Sequence, residues 1–388
     1  MNWRLLAIPA SIVPLILMVL FTHITVDDLF SVGIFPFILS CAAVLGKVLL
    51  QAYRFKYYIR KFIGHDASSF SRTISARLGS EFVSQTTPAY VGGEIVRVAW
   101  LTGRGVPAGR AAWITTIEII SDVFVGTILG IISGVFAIIS GGYLIGTIIV
   151  LLSIPILLFW FLLMFFSAKR NLQLPKLIEK VMKKILRGER GRNLVTSTNK
   201  AIADLCQMSR ENFTFSSHSV LKTFAIGIAI TVVAFVLQGV SFMVLVNAVG
   251  NGMPPISIFD SLMATSASTV LATLPITLGG SGLAELGIWA YLANLNTMPS
   301  LQDITTDSNL SVIVVWRIAS YHVPLVIMWI ALMKLTINKD TVPVRKMNSR
   351  SDLSGSNEVA DYSESEDSAL SLGKPSDSKG KQSPLGDE

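Results

Sequence analysis

Charge is scarce in this chain. Only 15% of its 388 residues are Asp, Glu, Lys or Arg, against about a quarter in soluble domains. Cysteine is scarcer still. Cys41 lies in an apolar run and Cys206 in a basic stretch, so the pair offers neither a disulfide framework nor a metal-ligand spacing. Neither a His-Glu-x-x-His nor a Gly-x-x-x-x-Gly-Lys-Ser/Thr element occurs, which argues against zinc-protease chemistry and ATP-driven work within the chain. No metal and no cofactor is expected. In place of charge there is apolar mass: 51% of the side chains are hydrophobic and mean hydropathy is +0.59. That mass is laid out in runs long enough to cross a bilayer. An ordinary soluble enzyme is excluded, and the pattern predicts an all-α polytopic membrane protein.

Six runs have the length of a full span: Leu5 to Phe21, Val32 to Ala52, Ala111 to Ile139, Leu144 to Phe166, Leu221 to Val249 and Leu310 to Leu335. The first follows only Asn2, Trp3 and Arg4, is too long for a signal peptide and lacks a small-residue cleavage site. It reads as a retained anchor. Two further stretches, Ser71 to Leu101 and Ser257 to Leu292, are apolar but broken.

Loop charge sets the orientation. Arg54, Lys56, Arg60 and Lys61 follow the second span without an acid among them, and Lys169 to Arg210 holds 11 basic against 3 acidic residues. Such loops face the cytoplasm. The connections at 23–31, 140–143, 250–256 and 293–309 carry Asp27, Asp28, Asp303 and Asp307 and no Lys or Arg, so they face outward. The second span then ends inside and the third starts inside, which makes Ser71 to Leu101 enter and leave on the inner side. By the same reasoning Ser257 to Leu292 enters and leaves on the outer side. The two broken stretches share a pattern, Pro88-Ala-Tyr-Val-Gly92-Gly93 and Pro275-Ile-Thr-Leu-Gly279-Gly280. Proline stops a first half-helix and the glycines permit the reversal into a second. The expected architecture is six full transmembrane helices plus two re-entrant helical hairpins related as an inverted repeat, an arrangement of transporters.

The transmembrane domain is expected over 1–337, with a cytoplasmic basic loop at 167–217. Spacing at Leu174, Leu177, Ile178, Val181, Ile185 and Leu186 suits either an amphipathic helix on anionic headgroups or an ordinary positive-inside linker. From Asn338 the composition turns to Ser, Asp, Glu, Gly, Lys and Pro, with 7 basic and 10 acidic residues, leaving 25 basic against 15 acidic in the first 337. Residues 338–388 read as a disordered cytoplasmic tail. Both termini are placed in the cytoplasm, with the protein in the cell membrane. The basic surplus belongs to the loops, and no nucleic-acid partner is expected.

With Thr87-Pro-Ala-Tyr-Val-Gly-Gly-Glu-Ile-Val-Arg97, then Leu101, Gly105, Ala111, Glu118 and Asp122, the chain resembles the flippase-like family of integral membrane proteins, which includes the transmembrane region of lysylphosphatidylglycerol synthases. Pro275, Gly279, Gly280, Gly282 and Glu285 look like its second hallmark, and Arg317, Tyr321 and Pro324 are similar to its third. The likeness runs through residues 1–337. It implies translocation of an anionic lipid or polyprenyl-phosphate-linked lipid between leaflets, with membrane lipids as partners and enzymes of a lipid-linked glycan or aminoacyl-lipid pathway as neighbours. No soluble synthase domain follows the last span in this sequence, so lipid lysylation is not carried over.

Ionisable groups at membrane depth mark function by default. Arg97, Arg110 and Arg317, with Gly92, Gly93, Gly279 and Gly280 at the two reversals, form the expected headgroup-binding set. Glu94, Glu118, Asp122 and Glu285 form the expected coupling or gating set. Glu118 and Asp122 share a helix face; two carboxylates there resist ionising together, which suits proton coupling, or each pairs with an arginine. Glu94 and Arg97 open a half-helix, where Arg97 and free N–H groups suit a phosphate, or the two pair and cap the helix. Glu285 and Arg317 make either a structural pair or a gate. Gln238, Asn247, Ser266 and Ser268 fit helix-packing hydrogen bonds, and Gly126, Gly130 and Gly134 fit close helix packing. Two rival functions remain open. One is an ion-coupled carrier of a small solute; the other is an intramembrane serine hydrolase using Ser281 and His322.

Overall fold

The computed structural model describes residues 16, 27, 32–63, 68–87, 92–170, 173–176, 179–180, 189–213, 218–249, 255–274, 277, 279–295 and 308–337. All of the expected first span at Leu5 to Phe21 but Ile16, together with Pro88 and Pro275, most of the 174–186 stretch and the 338–388 tail, lies outside them. Every element among the described residues is helical. In chain order these are α1 (Ile34–Phe62), α2 (Phe70–Gln85), α3 (Gly93–Thr102), α4 (Ala108–Ile139), α5 (Tyr143–Lys169), α6 (Glu189–Phe213), α7 (His218–Val249), α8 (Ile258–Ala272), α9 (Leu283–Leu295), α10 (Ser308–Arg317) and α11 (Val323–Ile337). Five helices are long and apolar enough to cross a membrane: α1, α4, α5, α7 and the run from Ser311 to Leu335. They coincide with five of the six expected spans, and they make the protein a multi-pass membrane protein.

Both broken stretches are pairs of short helices. α2 packs on α3, and α8 packs on α9. α8 starts with Ser257, whose hydroxyl accepts the Asp260 N–H at 3.1 Å and so satisfies a donor the first turn leaves open. The final run is not one uniform helix. Five residues, Ile318–His322, form a π-helical turn between α10 and α11. Pro324 lies one residue into α11, and its missing N–H and bulky ring disfavour the regular i to i−4 ladder at that point. The basic segment also holds a helix that its charge had concealed, the 25-residue α6, packed on α4 and α5 with Val195, Cys206 and Ser209 buried.

α1 lies along α7, while α2 packs on α11 and α4 packs on α8. Burial is uneven. α5 buries Gly146, Ile149, Ser153 and Ser167 and exposes Leu151, Leu158, Phe159 and Phe161, the composition of a surface matched to lipid tails. The interior is banded. Along α4, Trp113, Ile114 and Ile117 join one apolar cluster, Leu129, Phe136 and Ala137 another, and the ionisable Glu118 and Asp122 fall between. α1 repeats the order in reverse, with Phe37 and Cys41 in one cluster, Phe55, Tyr58 and Ile59 in the other, and Lys47 and Arg54 between. Two apolar layers thus enclose a polar one.

The α4–α5 corner is closed by Gly141 at φ +96°, with Gly142 N–H on Ala137 O at 2.8 Å and Gly141 N–H on Ile138 O at 3.1 Å. This is the bonding of a left-handed helix stop. The two helices then run in backbone contact: a Cβ on Gly134 would stand 2.8 Å from Gly146 O. The expected close packing at Gly126, Gly130 and Gly134 is seen, against Phe235, Val270 and Gly146 respectively. Gly134→Leu is therefore expected to destabilise the protein by about 1–3 kcal/mol through overpacking. Ile154→Leu on the exposed face of α5 should stay within about 0.5 kcal/mol. Thermal unfolding of both variants in detergent checks the contrast.

Candidate functional site

The polar layer is organised around one carboxylate. Glu118 on α4 is fully buried. Its Oε1 accepts Arg77 Nε from α2 at 2.8 Å, its Oε2 accepts Arg97 Nη1 from α3 at 2.9 Å, and Arg54 Nη2 from α1 lies 3.5 Å from Oε1. One turn on, Asp122 takes Arg54 in a two-pronged pair, both contacts at 2.7 Å. Thr231 on α7 accepts from the same guanidinium. Both acids of the expected pair are thus ion-paired to arginines. Arg77 also meets Glu81 on its own helix. Arg97 Nη2 reaches Glu94 Oε1 at 3.1 Å, while Glu94 Oε2 accepts the Gly92 N–H at 2.9 Å, so Glu94 closes the start of α3.

The second broken segment repeats the device. Glu285 Oε2 accepts the Gly282 N–H at 2.7 Å, and its Oε1 lies 2.8 Å from Arg317 Nε. Arg317 Nη2 donates to Gly279 O at 2.6 Å, and its guanidinium lies 4.2 Å from the centre of the Tyr321 ring. In both segments one acid caps a short helix with one oxygen and holds an arginine with the other. The two segments also touch. Tyr321 OH donates to Gln85 O at the end of α2, at 2.9 Å, and a Cβ on Gly279 would stand 2.6 Å from that same oxygen. Gly279, at φ +58°, is open to glycine on both counts. Gly92 and Gly280 also have positive φ, and Gly93 abuts Ser80 and Ser84 of α2.

A cavity of about 300 Å³ opens beside these pairs, with Arg77, Arg97, Arg317, Glu94 and Asp122 on its walls. Lys47 lines it too, one residue before the midpoint of α1. The Lys47 ammonium donates to Gln238 Oε1 at 2.6 Å and lies 5.8 Å from the centre of the Phe235 ring. A lysine at mid-span costs about 2.5–3.5 kcal/mol on insertion scales, so its position calls for a purpose.

Not every expected residue gathers here. Arg110, in the first turn of α4, is half-buried and outside the cavity lining. Asn247 bonds the backbone of Ile256, and Ser266 bonds its own helix, both as packing residues do. Gln238 and Ser268, by contrast, face the cavity. Ser281 is buried, and His322 Nδ1 lies 3.3 Å from Arg317 O, engaged by its own chain segment. Four site residues escaped sequence reasoning: Lys47, Arg54, Arg77 and Glu81. α1 runs ten residues past Ala52, to Phe62, so Arg54, which had been assigned to a loop, is a fully buried helix residue. The usable signals were a lone lysine inside an apolar run and an Arg77–Glu81 pair at four-residue spacing in an apolar segment.

The family model for the lysylphosphatidylglycerol synthase TM region matches residues 6–327. The chain belongs to that family. A UPF0104 membrane protein of Archaeoglobus fulgidus is 25% identical over 279 residues, covering 71% of this chain and 78% of the relative. No solved structure matches the chain. In this member of the family the matched region contains the whole described charge network, from Lys47 to Arg317.

Breaking a buried ion pair from one side leaves charge without a partner, at a cost of about 3–5 kcal/mol. Glu118→Gln is expected to lose stability in that range, because three guanidiniums share its carboxylate. Asp122→Asn should lose less, since the Asp122 side chain is 28% exposed. Thermal unfolding in detergent ranks the two, and equal losses would contradict a hub at Glu118.

Proposed function

We propose that this protein moves a phosphate-bearing anionic lipid between membrane leaflets, its headgroup passing through the charged cavity while its acyl chains stay in the bilayer. The observation that carries this reading is the cavity itself: a small chamber at mid-length of α1 and α4, walled by Lys47 of α1, Arg77 and Arg97 of the first broken segment and Arg317 of the last span, with Ser268 and Thr269 of the second broken segment beside them. Membership of a lipid synthase's transmembrane family supports a role in lipid handling. The exposed apolar face of α5 suits a protein whose substrate arrives from the bilayer.

The proposed architecture is six spans with two re-entrant hairpins, the unit α1 to α4 being an inverted copy of α7 to α11. Helix pairing supports it, because the partners exchange under that operation: α2 packs on α11 as α8 packs on α4, and α1 packs on its own counterpart α7. The paired caps at Glu94 and Glu285 point the same way. In this scheme both termini and the basic loop face the cytoplasm. A headgroup would enter near Arg97, whose Glu94 partner is 32% exposed and open to displacement by a phosphate. It would then compete with Glu285 for Arg317. Glu118 and Asp122 would hold the cations in position between turnovers, and Arg110 would attract anionic lipid at the approach to α4.

Headgroup accessibility of a fluorescent phosphatidylglycerol in proteoliposomes tests the reading. Wild type should exceed empty liposomes, and Arg97→Gln and Arg317→Gln should each lower the rate about tenfold or more, as loss of one charge-assisted hydrogen bond would. No acceleration with any of several anionic lipids, from monodisperse protein, would shift the assignment to an ion-coupled carrier of a small solute. Fluorophosphonate labelling of Ser281 that Ser281→Ala abolishes would shift it to a hydrolase.

A further inference from the structure

The charges in and behind the cavity are even in number. Lys47, Arg54, Arg77, Arg97 and Arg317 face Glu81, Glu94, Glu118, Asp122 and Glu285. They are not evenly paired. Each arginine has a carboxylate oxygen at ion-pair distance. Lys47 has none among the described residues; its polar partner is the neutral carboxamide of Gln238. An ammonium carries three N–H donors, and Gln238 takes one, so two remain for whatever enters the cavity. Gln238 is itself steadied on the far side by Thr269 of α8, at 3.4 Å.

This asymmetry separates Lys47 from the arginines. An anion that binds Arg97 or Arg317 competes there with Glu94 or Glu285 for the guanidinium. An anion that binds Lys47 displaces no carboxylate and meets the one cation of the five that has no carboxylate at ion-pair distance among the described residues. A second negative charge on the same ligand would find every other cation already held.

We propose that Lys47, oriented by Gln238, is the seat of the ligand's phosphate, and that the cavity takes a phosphodiester carrying one negative charge in preference to a phosphomonoester. The proposal rests on the lipid-translocation reading and narrows its substrate class. Arg97 and Arg317 then act on the headgroup's way in and out, while Lys47 holds it at mid-depth.

Binding to the purified full-length protein in an uncharged maltoside detergent tests this without requiring transport. The probes are dioctanoyl phosphatidylglycerol as diester, dioctanoyl phosphatidic acid as monoester, and dioctanoylglycerol, which has no phosphate. Wild type should bind the diester about tenfold or more tighter than dioctanoylglycerol, and more tightly than the monoester. Lys47→Met should erase the advantage over dioctanoylglycerol, and Gln238→Leu should reduce it; the first variant removes a mid-span charge, so its insertion is made easier. Diester binding unchanged in both variants would overturn the seat at Lys47 while leaving lipid translocation standing. A monoester bound as tightly as the diester, or tighter, would overturn the ligand class. Equal binding of diester and dioctanoylglycerol by wild type would overturn both the seat and the anionic-lipid reading. The water-soluble glycerophosphoglycerol, bound as tightly as the lipid and lost in Lys47→Met, would uphold the seat and replace the lipid with a soluble solute.

Discussion

Glu118 is where the described structure ties together. Its carboxylate is out of contact with water and is shared by Arg77 of α2 and Arg97 of α3, with Arg54 of α1 beside it. A carboxylate in such a place is tolerable only if its charge and lone pairs are met, and three separate helices have to arrive in register to meet them. The short helices α2 and α3 are too brief to hold their places by length, and α3 buries only Gly93, Arg97 and Leu101. Their position relative to α4 is therefore set largely by two guanidiniums on one acid. The apolar clusters on either side exclude water from these pairs, which strengthens them.

A second joint ties the two broken segments to each other. The carbonyl of Gln85, left open at the end of α2, receives the Tyr321 hydroxyl, and Gly279 of the other segment comes up against it. Tyr321 belongs to the π-helical turn that also follows Arg317, and the Arg317 guanidinium lies over the Tyr321 ring. One irregular turn in the last span thus sets a cation on the second segment and a hydrogen bond on the first. Any movement of that turn would be felt at both. This is the physical route by which the two halves of the cavity wall can act together.

Much of this was legible in the residues. Long apolar runs located five spans, and the Pro and Gly-Gly interruptions located the two broken segments, because a bilayer permits few ways to satisfy a backbone. Glu118, Asp122, Arg97, Glu285 and Arg317 were visible as charges that an apolar environment would not carry idly. What escaped was charge that looked ordinary. Arg54 stood at the head of a basic series and read as loop, since nothing in one sequence says that α1 continues for ten more residues. Lys47 was absorbed by the hydropathy of its neighbours. α6 was hidden because positive-inside bias and a packed helix leave similar compositions, and Asp204 packing against Gly109 of α4 is a tertiary fact.

Stability does not explain why so many charges occupy the middle of this molecule. A buried ion network is often matched or bettered by well-packed apolar residues of the same volume, and in a membrane the insertion cost falls on every charged group. Four arginines with carboxylate partners could form a closed lattice that binds nothing. The lattice here is not closed, because it borders a cavity, and because the one lysine on that cavity leans on an amide and an aromatic ring instead of an acid. Carboxylates that cap helices with one oxygen can release an arginine from the other without unravelling the turn they hold. Such an arrangement keeps the resting site near neutrality, and under the lipid-translocation proposal it leaves cations that an incoming phosphate would claim in sequence as a charged headgroup passes an apolar barrier.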